Sequence, residues 1–417
     1  MDIIEDFESF YEKAYLLIPV FSSQDADVDE RVKELKELVK TAGAKTVGYS
    51  YQFLREVSPA TIFGSGKLLE MKNEMNSLGA NLVIFDGKLS PSQAQNLSDF
   101  LEIKFIDRTA LILDIFALNA KTKEGKLQVE LAQLEYVLSR LKGQGKALSR
   151  LGGGIGTRGP GETKLETDRR YIRQRIKNLK DQLEDLSRKR KLFTEKREKN
   201  NTLTVALAGY TNAGKSTLLN ALSGSSVLAE DKLFATLDPT VRKIELDGFS
   251  VLLIDTVGFI KDIPTNLIKA FKSTLDSVKD ADLILNVCDA TGDWQKQNEV
   301  TESILRELNS SSPIIKVFNK CEDIGDFSFY PTDAVFISAL FSKGLDQLKR
   351  RIAEVFNDKF LRCELKLNFD EISKFYKIKD CLESYEINYL DDYVKVNLCV
   401  KKIYYSKLTE LIKKSVE

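Results

Sequence analysis

The sequence predicts an α/β protein, and three observations support this fold class. Short β-branched runs alternate with helical patterns in two stretches, 15–119 and 202–357, as is typical of parallel α/β domains. Between them, leucines recur at heptad-like spacing, which indicates paired helices. The last residues combine strands with helices. We therefore expect an N-terminal parallel α/β domain (1–124), an antiparallel helical hairpin linker (125–200), a second α/β domain (201–357) and a small α+β domain (358–417).

The N-terminal region shows the strand and helix alternation first. Tyr15–Val20 has the apolar run of a strand, and Val28–Val39 has the periodicity of an amphipathic helix. Asn81–Asp86 and Ile103–Ile106 predict further strands with helices between them. Strands joined by helical crossovers pair in parallel, so this region should form a small parallel sheet.

Two apolar stripes predict the helical hairpin. The first stripe is Leu127, Leu131, Leu134, Leu138 and Leu141. The second recurs every seventh residue, with Ile176 and Leu183 between, at Leu165, Ile172, Leu179, Leu186 and Phe193. Helices with such stripes bury them against each other. The second helix should be about 35 residues, or about 50 Å, long.

The hairpin's connection is glycine-rich and basic. Residues 143–161 hold 8 of the 23 glycines, so we expect a tip there. Two interpretations stay open: the tip's cations bind RNA phosphates, or they form a solvated loop that caps the hairpin. The candidate RNA-binding residues are Lys142, Lys146, Arg150, Arg158, Arg169 and Arg170.

The charge balance favours an anionic partner for the hairpin. The whole chain has 62 basic and 62 acidic residues. Residues 121–200, however, hold 22 lysines and arginines against 11 acidic residues, so this segment carries +11 and the remainder −11. Such asymmetry is typical of a chain with one nucleic-acid-facing segment.

The residue types exclude several chemistries and favour a cytoplasmic protein. Because there is no histidine, Ser-His-Asp and Cys-His nucleophiles and histidine-ligated zinc are excluded. The five cysteines are scattered and form no CxxC pair, as expected of thiols in a reducing cytosol. No apolar run is long enough for a membrane span, and the first residues lack a signal-peptide pattern.

A phosphate-binding loop opens the second α/β region. The motif GxxxxGK[ST] lies between a strand, Leu203–Ala208, and a helix that begins near Leu218. Its glycines let backbone N–H groups wrap a phosphate at the helix N-terminus. Lys215 would reach the β- and γ-phosphate oxygens, and the Ser216 hydroxyl would ligate Mg²⁺. The nucleotide-binding residues predicted here are Gly209, Tyr210, Thr211, Asn212, Ala213, Gly214, Lys215, Ser216 and Thr217.

Four further motifs follow in the order found in a P-loop GTPase domain. A hydroxyl-bearing segment precedes the strand Val251–Asp255, whose aspartate can hold Mg²⁺ through water, and Gly258 can contact the γ-phosphate. Two later strands, Ile314–Phe318 and Val335–Ile337, lead into loops that read a guanine base. The residues assigned to these motifs are Phe234, Ala235, Thr236, Leu237, Asp238, Asp255, Thr256, Val257, Gly258, Asn319, Lys320, Cys321, Glu322, Ser338, Ala339 and Leu340.

Two departures from the usual pattern have functional consequences. The guanine-reading carboxylate is normally an aspartate, but Glu322 stands there, one methylene longer and followed by Asp323. We expect that it still selects GTP over ATP. After Gly258 the chain continues with Phe259 and Ile260, where Ras-like enzymes place a water-orienting glutamine. Intrinsic hydrolysis should therefore be slow and should need a partner.

The motifs together closely resemble the HflX family of ribosome-associated GTPases. The resemblance spans nearly the whole chain, and it rests on the Gly-rich segment 152–170, the loop 209–216, the segment 234–238 and the run 255–259. It implies GTP hydrolysis, binding to the large ribosomal subunit through the hairpin tip, and splitting or rescue of stalled or idle ribosomes. The protein would be monomeric.

The resemblance also assigns roles to individual residues. It implies that Thr236, rather than Thr240, is the switch ligand of Mg²⁺ beside Ser216, and that a hydrophobic residue such as Phe259 normally replaces the catalytic glutamine. Lys215, Thr236 and Gly258 are thus the expected catalytic residues.

Two alternatives stay open at the level of sequence. The first is a GTP-gated RNA-binding or ribosome-assembly module with little turnover. The second, a metabolic P-loop kinase, fits poorly because Asn319-Lys320 and Ser338-Ala339 serve a guanine base.

Overall fold

The computed structural model contains three β-sheets and a long helical hairpin. It describes residues 12–21, 27–54, 58–151, 160–199, 202–224, 233–234, 236–237, 239–246, 249–261, 272–378, 382–390 and 392–401. The chain divides into two compact units, of which the first comprises Met1–Asp185, Glu230–Asp238 and Asp262–Lys272. Within the described residues, no helix is both long and apolar enough to cross a membrane.

A four-stranded parallel sheet forms the N-terminal part of the first unit, as predicted. Its strand order is β2-β1-β3-β4. Strand β2 was not among the predicted strands, because its sequence alternates polar and aromatic residues and lacks an apolar run. The elements are β1 (Lys13–Val20), α1 (Val28–Thr41), β2 (Lys45–Phe53), α2 (Ser65–Leu78), β3 (Leu82–Phe85), α3 (Pro91–Leu101), β4 (Lys104–Asp107) and α4 (Arg108–Asn119).

A buried charge network fixes the helices at the end of this sheet. Asp86, just after β3, accepts hydrogen bonds from Arg31 of α1 (2.9 Å) and Arg108 of α4 (2.9 Å). Asp107 caps α4 through Ala110 N and also accepts from Arg140 of the hairpin at 2.6 Å. Because buried charges are costly unless they are paired, these ion pairs specify how the helices meet.

The hairpin consists of α5 (Lys123–Leu151) and α6 (Pro160–Lys199). Its seam contains eight of the predicted apolar residues: Leu131, Ile176 and Leu179 are buried, and packed against them are Leu127, Leu134, Leu138, Ile172 and Leu183. Arg169 donates to the carbonyl oxygen of Leu141, and further from the connection Arg175 pairs with Glu130, so the helices are antiparallel.

The predicted tip at 143–161 is too long. Helix α5 continues through residue 151 and α6 begins at residue 160, so only 152–159 separate them. The tip was predicted from the concentration of glycines, which lower helix propensity by about 1 kcal/mol per residue. The long α5 continues through its glycines all the same.

The second unit is built on a six-stranded sheet of order β10-β9-β8-β5-β7-β6. Its strands are parallel except β6, which pairs antiparallel with β7 and was not predicted. Segment 240–246 carries polar residues in alternation, as suits an edge strand. The elements are β5 (Leu203–Gly209), α7 (Lys215–Ser223), β6 (Thr240–Leu246), β7 (Phe249–Asp255), α8 (Lys272–Lys279), β8 (Leu283–Asp289), α9 (Trp294–Glu307), β9 (Ile314–Asn319), β10 (Val335–Phe336) and α10 (Leu345–Asn357).

The C-terminal region is α+β, as predicted. An antiparallel sheet has the order β11-β13-β12. The predicted helix at 369–378 begins as a 3₁₀ turn, Phe369–Glu371, before it becomes α-helical. The predicted final helix lies outside the described residues. The elements are β11 (Phe360–Leu367), α11 (Ile372–Ile378), β12 (Leu382–Tyr389) and β13 (Val394–Lys401).

Candidate functional site

The predicted motif residues of the second unit gather at one edge of the six-stranded sheet. Strands β5, β7, β8, β9 and β10 run parallel, so the loops that follow them emerge on the same side. In open α/β sheets, ligands bind at this carboxyl edge. The topology therefore brings the phosphate loop, the segment after Asp255 and the loops after Asn319 and Phe336 together.

The phosphate loop is held tightly against the segment after β7. Thr211 N donates to Phe259 O at 2.7 Å, and Phe259 N donates to Gly209 O at 3.0 Å. Gly214 has φ +88°, and a Cβ there would overlap the amide nitrogen of Asn319. Only glycine fits this position, so the second glycine of the motif is needed for both conformation and space.

Lys215 is buried within the loop. Its Nζ donates to Tyr210 O at 2.7 Å and to Gly209 O at 3.2 Å. Burial lowers the pKa of the ammonium to about 8, although the Asp255 carboxylate acts in the opposite direction. A buried cation held only by carbonyl oxygens is poised to take an anionic ligand.

The two side chains predicted to serve the metal lie together. Ser216 Oγ donates to Asp255 Oδ2 at 2.6 Å. These are hard oxygen donors of the kind that Mg²⁺ prefers. No group of three or more histidine, cysteine, aspartate or glutamate side chains with metal-binding geometry occurs in the described part of the chain.

Two buried threonine hydroxyls near the phosphate loop differ in their hydrogen bonding. The Thr256 hydroxyl is fully buried and donates to Leu207 O at 2.7 Å, so it ties β7 to β5. The Thr211 hydroxyl in the phosphate loop is buried without a hydrogen-bond partner among the described residues. Buried hydroxyls are normally paired, so a ligand oxygen would satisfy Thr211.

The segment after Asp255 combines a close approach with apolar side chains. A Cβ on Gly258 would lie 2.9 Å from Thr211 Cα and 3.0 Å from Lys215 Nζ, so only glycine lets the backbone approach so closely. Phe259 and Ile260 are 2% and 1% exposed. Both side chains are apolar, so neither can orient a water molecule by a hydrogen bond.

The predicted switch segment, residues 234–238, belongs to the first unit, whereas Ser216 and Asp255 belong to the second. Phe234 packs edge to face on Phe116 of α4 with 4.7 Å between centroids, and its carbonyl accepts from Asn119 at 2.9 Å. Thr236 is half-buried and Leu237 is buried. The other two predicted residues, Ala235 and Asp238, lie outside the described residues.

Asn319 connects three loops of the site. It is 3% exposed. Its Nδ2 donates to Ala213 O at 2.9 Å, and its Oδ1 accepts from Ala339 N at 2.9 Å. One amide thus fixes the phosphate loop against the loop after β10, which makes Asn319 a positioning residue.

Asp289, which ends β8 at the same edge, was not among the predicted site residues. Lys320, at φ +63°, donates to Asp289 Oδ2 at 2.7 Å. Burial raises the pKa of Asp289, but hydrogen bonds from Lys320 and Thr291 outweigh this effect and hold the pKa below its ordinary value. The sequence feature that could have identified Asp289 is its position as an aspartate at the carboxyl end of a strand.

The structure distinguishes the two adjacent carboxylates of the base loop. Glu322 is half-buried, and its Oε2 is buried with no hydrogen-bond partner among the described residues. Asp323 is exposed to solvent. Cys321 N donates to Ile337 O at 3.2 Å, which ties this loop to the residues after β10. Buried carboxylate oxygens rarely go unpaired, so Glu322 is the one that a ligand would satisfy.

The loop after β10 completes the site. Ser338 and Lys343 exchange two backbone hydrogen bonds of 3.0 Å, which close a tight turn. Ser338 and Ala339 are buried, whereas Leu340 is 71% exposed. Ala339 is hydrogen-bonded through its N–H to Asn319, whereas Leu340 projects into solvent.

The predicted RNA-binding residues are only partly described. Arg169 is half-buried and donates to Leu141 O, so it also holds the hairpin together, whereas Arg170 is exposed. Lys142, Lys146 and Arg150 lie on α5, of whose side chains nothing is described at these positions. Arg158 lies outside the described residues.

Successive parts of the chain match three family models. "GTP-binding GTPase N-terminal" covers residues 29–117, "GTP-binding GTPase Middle Region" covers 119–197, and "50S ribosome-binding GTPase" covers 204–320. The GTPase HflX of Caldanaerobacter subterraneus subsp. tengcongensis is 49% identical over 354 residues, 84% of this chain and 82% of the relative. The chain belongs to the HflX family. The GTPase HflX of Escherichia coli (strain K12) is 39% identical over 399 residues, 93% of this chain and 92% of the relative.

Membership of the HflX family confirms the expectation of a GTPase. This chain is thus an HflX-family enzyme that binds and hydrolyses GTP, and its nucleotide-binding region matches a ribosome-binding GTPase model. Among solved structures, a GTP-binding protein from Sulfolobus solfataricus in complex with GDP is 25% identical, with a TM-score of 0.44, and covers 83% of this chain and 99% of that one.

Proposed function

We propose that this HflX-family GTPase uses Mg²⁺ and GTP to bind the large ribosomal subunit and to split or rescue stalled or idle 70S ribosomes. The observation that carries the proposal is that the region matched by the 50S ribosome-binding GTPase model, residues 204–320, contains the phosphate loop and Asn319 of one continuous site edge, and Glu322 follows directly after it. That edge runs from Lys215 and Ser216 through Gly258 to Asn319 and Glu322.

The donor set fits a magnesium ion. Ser216 and Asp255 present a hydroxyl and a carboxylate 2.6 Å apart, and Thr236 would be the ligand from the switch segment. Bound Mg²⁺ neutralises charge on the β- and γ-phosphates. Asp255 would exchange its hydrogen bond with Ser216 for a water of the ion.

The chain's own residues then bind and orient the nucleotide. Lys215 would exchange its two carbonyl partners for phosphate oxygens, which compensates its burial better. Gly258 lets a backbone N–H approach the γ-phosphate. At the other end Glu322 would accept hydrogen bonds from guanine N1–H and N2–H, while Asn319 holds the surrounding loops.

GTP hydrolysis should be slow until the protein binds the ribosome. Phe259 and Ile260 are buried and apolar, so they offer no group to orient the attacking water. A partner that supplies this orientation would raise turnover, as activating partners do for other P-loop GTPases.

The basic hairpin would make the ribosomal contact. Phosphate contacts from lysine and arginine are salt-sensitive and largely independent of sequence. We propose that residues near the connection touch ribosomal RNA, chiefly Lys142, Lys146, Arg150, Arg158 and Arg170, with Arg169 bracing the hairpin.

A second candidate function follows from the apolar segment at Phe259. If no partner completes the site, the protein would act as a GTP-gated RNA-binding or ribosome-assembly module with little turnover. Sedimentation separates the two candidates.

The test is sedimentation of 70S ribosomes with the full chain and GTP or a non-hydrolysable analogue. We expect the 70S peak to fall and the chain to sediment with 50S subunits, whereas Lys215→Ala, which cannot hold the phosphates, should leave the 70S peak intact. Binding to 50S subunits with an unchanged 70S peak would favour the assembly module. Absence of ribosome binding would contradict both functions.

A charge-reversal pair tests the hairpin contact in the same assay. Arg158→Glu with Arg170→Glu should weaken 50S binding by about 10- to 100-fold, because each change removes a phosphate contact and adds repulsion. Lys177→Glu, an exposed residue of α6 two turns further along, is the matched control and should have little effect.

A further inference from the structure

The edge strand β2 of the N-terminal sheet carries a row of exposed aromatic side chains. Tyr49, Tyr51 and Phe53 are 39%, 47% and 60% exposed. They alternate with Gly48, Ser50 and Gln52, so all three rings project from one face of the sheet. Exposed rings in such a row are unusual on a domain surface and typically mark an interaction site.

The row stays largely exposed although helix α1 packs on both β1 and β2. Tyr49, Tyr51 and Phe53 pair with Leu16, Ile18 and Val20 of β1. Those three β1 residues are at most 1% exposed. The β1 residues are thus fully covered, whereas the paired rings on the edge strand remain exposed beside the helix.

The flank of α1 beside the row is basic. Lys36 Nζ lies 4.9 Å from the centroid of the Tyr49 ring, which fixes that flank against β2. Helical spacing puts Lys33 and Lys40 on the same flank, and both are exposed. Asp29 lies on this flank as well, and Glu30 and Glu37 stand three and four positions from Lys33, so carboxylates adjoin the lysines.

The lysines and rings run side by side. One helical turn advances about 5.4 Å and two strand residues advance about 6.6 Å. Since Lys36 stands at Tyr49, Lys33 comes to the level of Tyr51, and Asp29 to that of Phe53. Tyr51 and Phe53 pack edge to face with 6.0 Å between centroids, so the row is continuous.

We propose that this aromatic-lysine surface (Lys33, Lys36, Lys40, Tyr49, Tyr51 and Phe53) binds unpaired RNA. Aromatic rings stack on bases whatever their identity, and adjacent cations follow the phosphates. Several RNA-binding sheets use exposed aromatic side chains in this way. A purely apolar protein partner would not require the lysines that stand beside Tyr49 and Tyr51. Bases must be unstacked to reach the rings, so the surface selects single strands over duplex.

This surface is separate from the hairpin connection and would give the protein a second RNA contact. It lies on α1 and β2, whereas the proposed ribosomal contact lies at the ends of α5 and α6. The proposal therefore does not depend on ribosome splitting.

The test measures binding of the full chain to a fluorescent 12-nucleotide oligouridine, with a 12-base-pair RNA duplex for comparison. Tyr49→Ala with Tyr51→Ala should weaken binding to the single strand by about 100-fold, since each stacked ring contributes about tenfold. Tyr49→Phe with Tyr51→Phe keeps the rings and should bind normally. Far-ultraviolet circular dichroism and urea unfolding check that each variant is folded.

A matched control lies elsewhere on the same sheet domain. Phe100 is 36% exposed and has Lys72 Nζ 5.6 Å from its centroid, but it belongs to no row. Phe100→Ala should leave binding unchanged. Replacing Lys33, Lys36 and Lys40 by glutamine should make the plot of log affinity against log salt concentration shallower, by about 0.7 for each phosphate that is no longer neutralised.

Crosslinking with 4-thiouridine in the oligonucleotide locates the contact. Crosslinks to peptides that contain Tyr49 or Tyr51 support the proposal. Crosslinks only to the hairpin, equal loss of duplex binding, or a dimer that the alanine variants dissociate would overturn it. The last result would identify a second copy as the partner of the row.

Discussion

At the scale of single residues, the phosphate loop was predictable because its motif allows few conformations. Lys215 and Ser216 occupy the expected positions after β5, and Gly214 has the positive φ and the crowding that only glycine tolerates. Asp289 was not predictable, since an aspartate after a strand is common and its pairing with Lys320 depends on tertiary structure. The choice between Glu322 and Asp323 likewise depended on how deeply each side chain is buried, which the sequence does not show.

Base selectivity tests the choice of Glu322. Glu322→Gln should weaken GTP binding by about 100-fold and favour xanthosine triphosphate, because two charge-assisted hydrogen bonds are removed and the amide can donate to the C2 carbonyl of xanthine. Asp323→Asn is the matched control and should keep the preference for GTP. Competition titrations measure both. If Asp323→Asn changes the base preference and Glu322→Gln does not, the assignment is wrong.

Asn319 should stabilise the second unit even without nucleotide. Asn319→Ala would leave Ala213 O and Ala339 N buried without their partner, at a cost of about 2–4 kcal/mol in the free energy of unfolding. The chain's single tryptophan, Trp294, packs on Phe318 at 5.1 Å and reports unfolding of this sheet in urea. The exposed Gln295→Ala should be neutral. Equal midpoints for wild type and Asn319→Ala would refute the positioning role.

At the scale of elements, the apolar patterns predicted most of the helices and the buried strands. The heptad stripes predicted the hairpin seam because the leucines and isoleucines that repeat at this spacing are the ones that pack between the helices, as Leu131, Ile176 and Leu179 do. Strands β2 and β6 were not predicted because each lies at a sheet edge and alternates polar side chains, so its sequence has no apolar run. The end of α5 was misplaced because glycine weakens a helix without forbidding it.

The hairpin should depend on its seam and little on its surface ion pairs. Leu179 is fully buried, so Leu179→Ala should cost about 2–5 kcal/mol. Arg175 pairs with Glu130 at the surface, and Arg175→Ala should hardly shift the midpoint, since exposed pairs contribute little. Urea unfolding followed by circular dichroism compares them. A larger loss from Arg175→Ala than from Leu179→Ala would contradict this ranking.

At the scale of the whole molecule, a net charge of zero conceals two opposite parts. Residues 121–200 carry +11, and the remaining chain carries −11. Composition could indicate an anionic partner for the hairpin, and motif order could indicate a GTPase. Neither could show the aromatic-lysine surface, because it forms only when α1 and β2 lie side by side.

The central claim is that this GTPase hydrolyses slowly until the large ribosomal subunit completes its site. The most direct measurement is GTP turnover by the purified chain with no addition, with 30S subunits and with 50S subunits. We predict turnover of about 10⁻³ s⁻¹ or slower for the chain by itself, and at least about 100-fold stimulation by 50S subunits but not by 30S subunits. Rapid turnover by the isolated chain, unchanged by 50S subunits, would contradict the account.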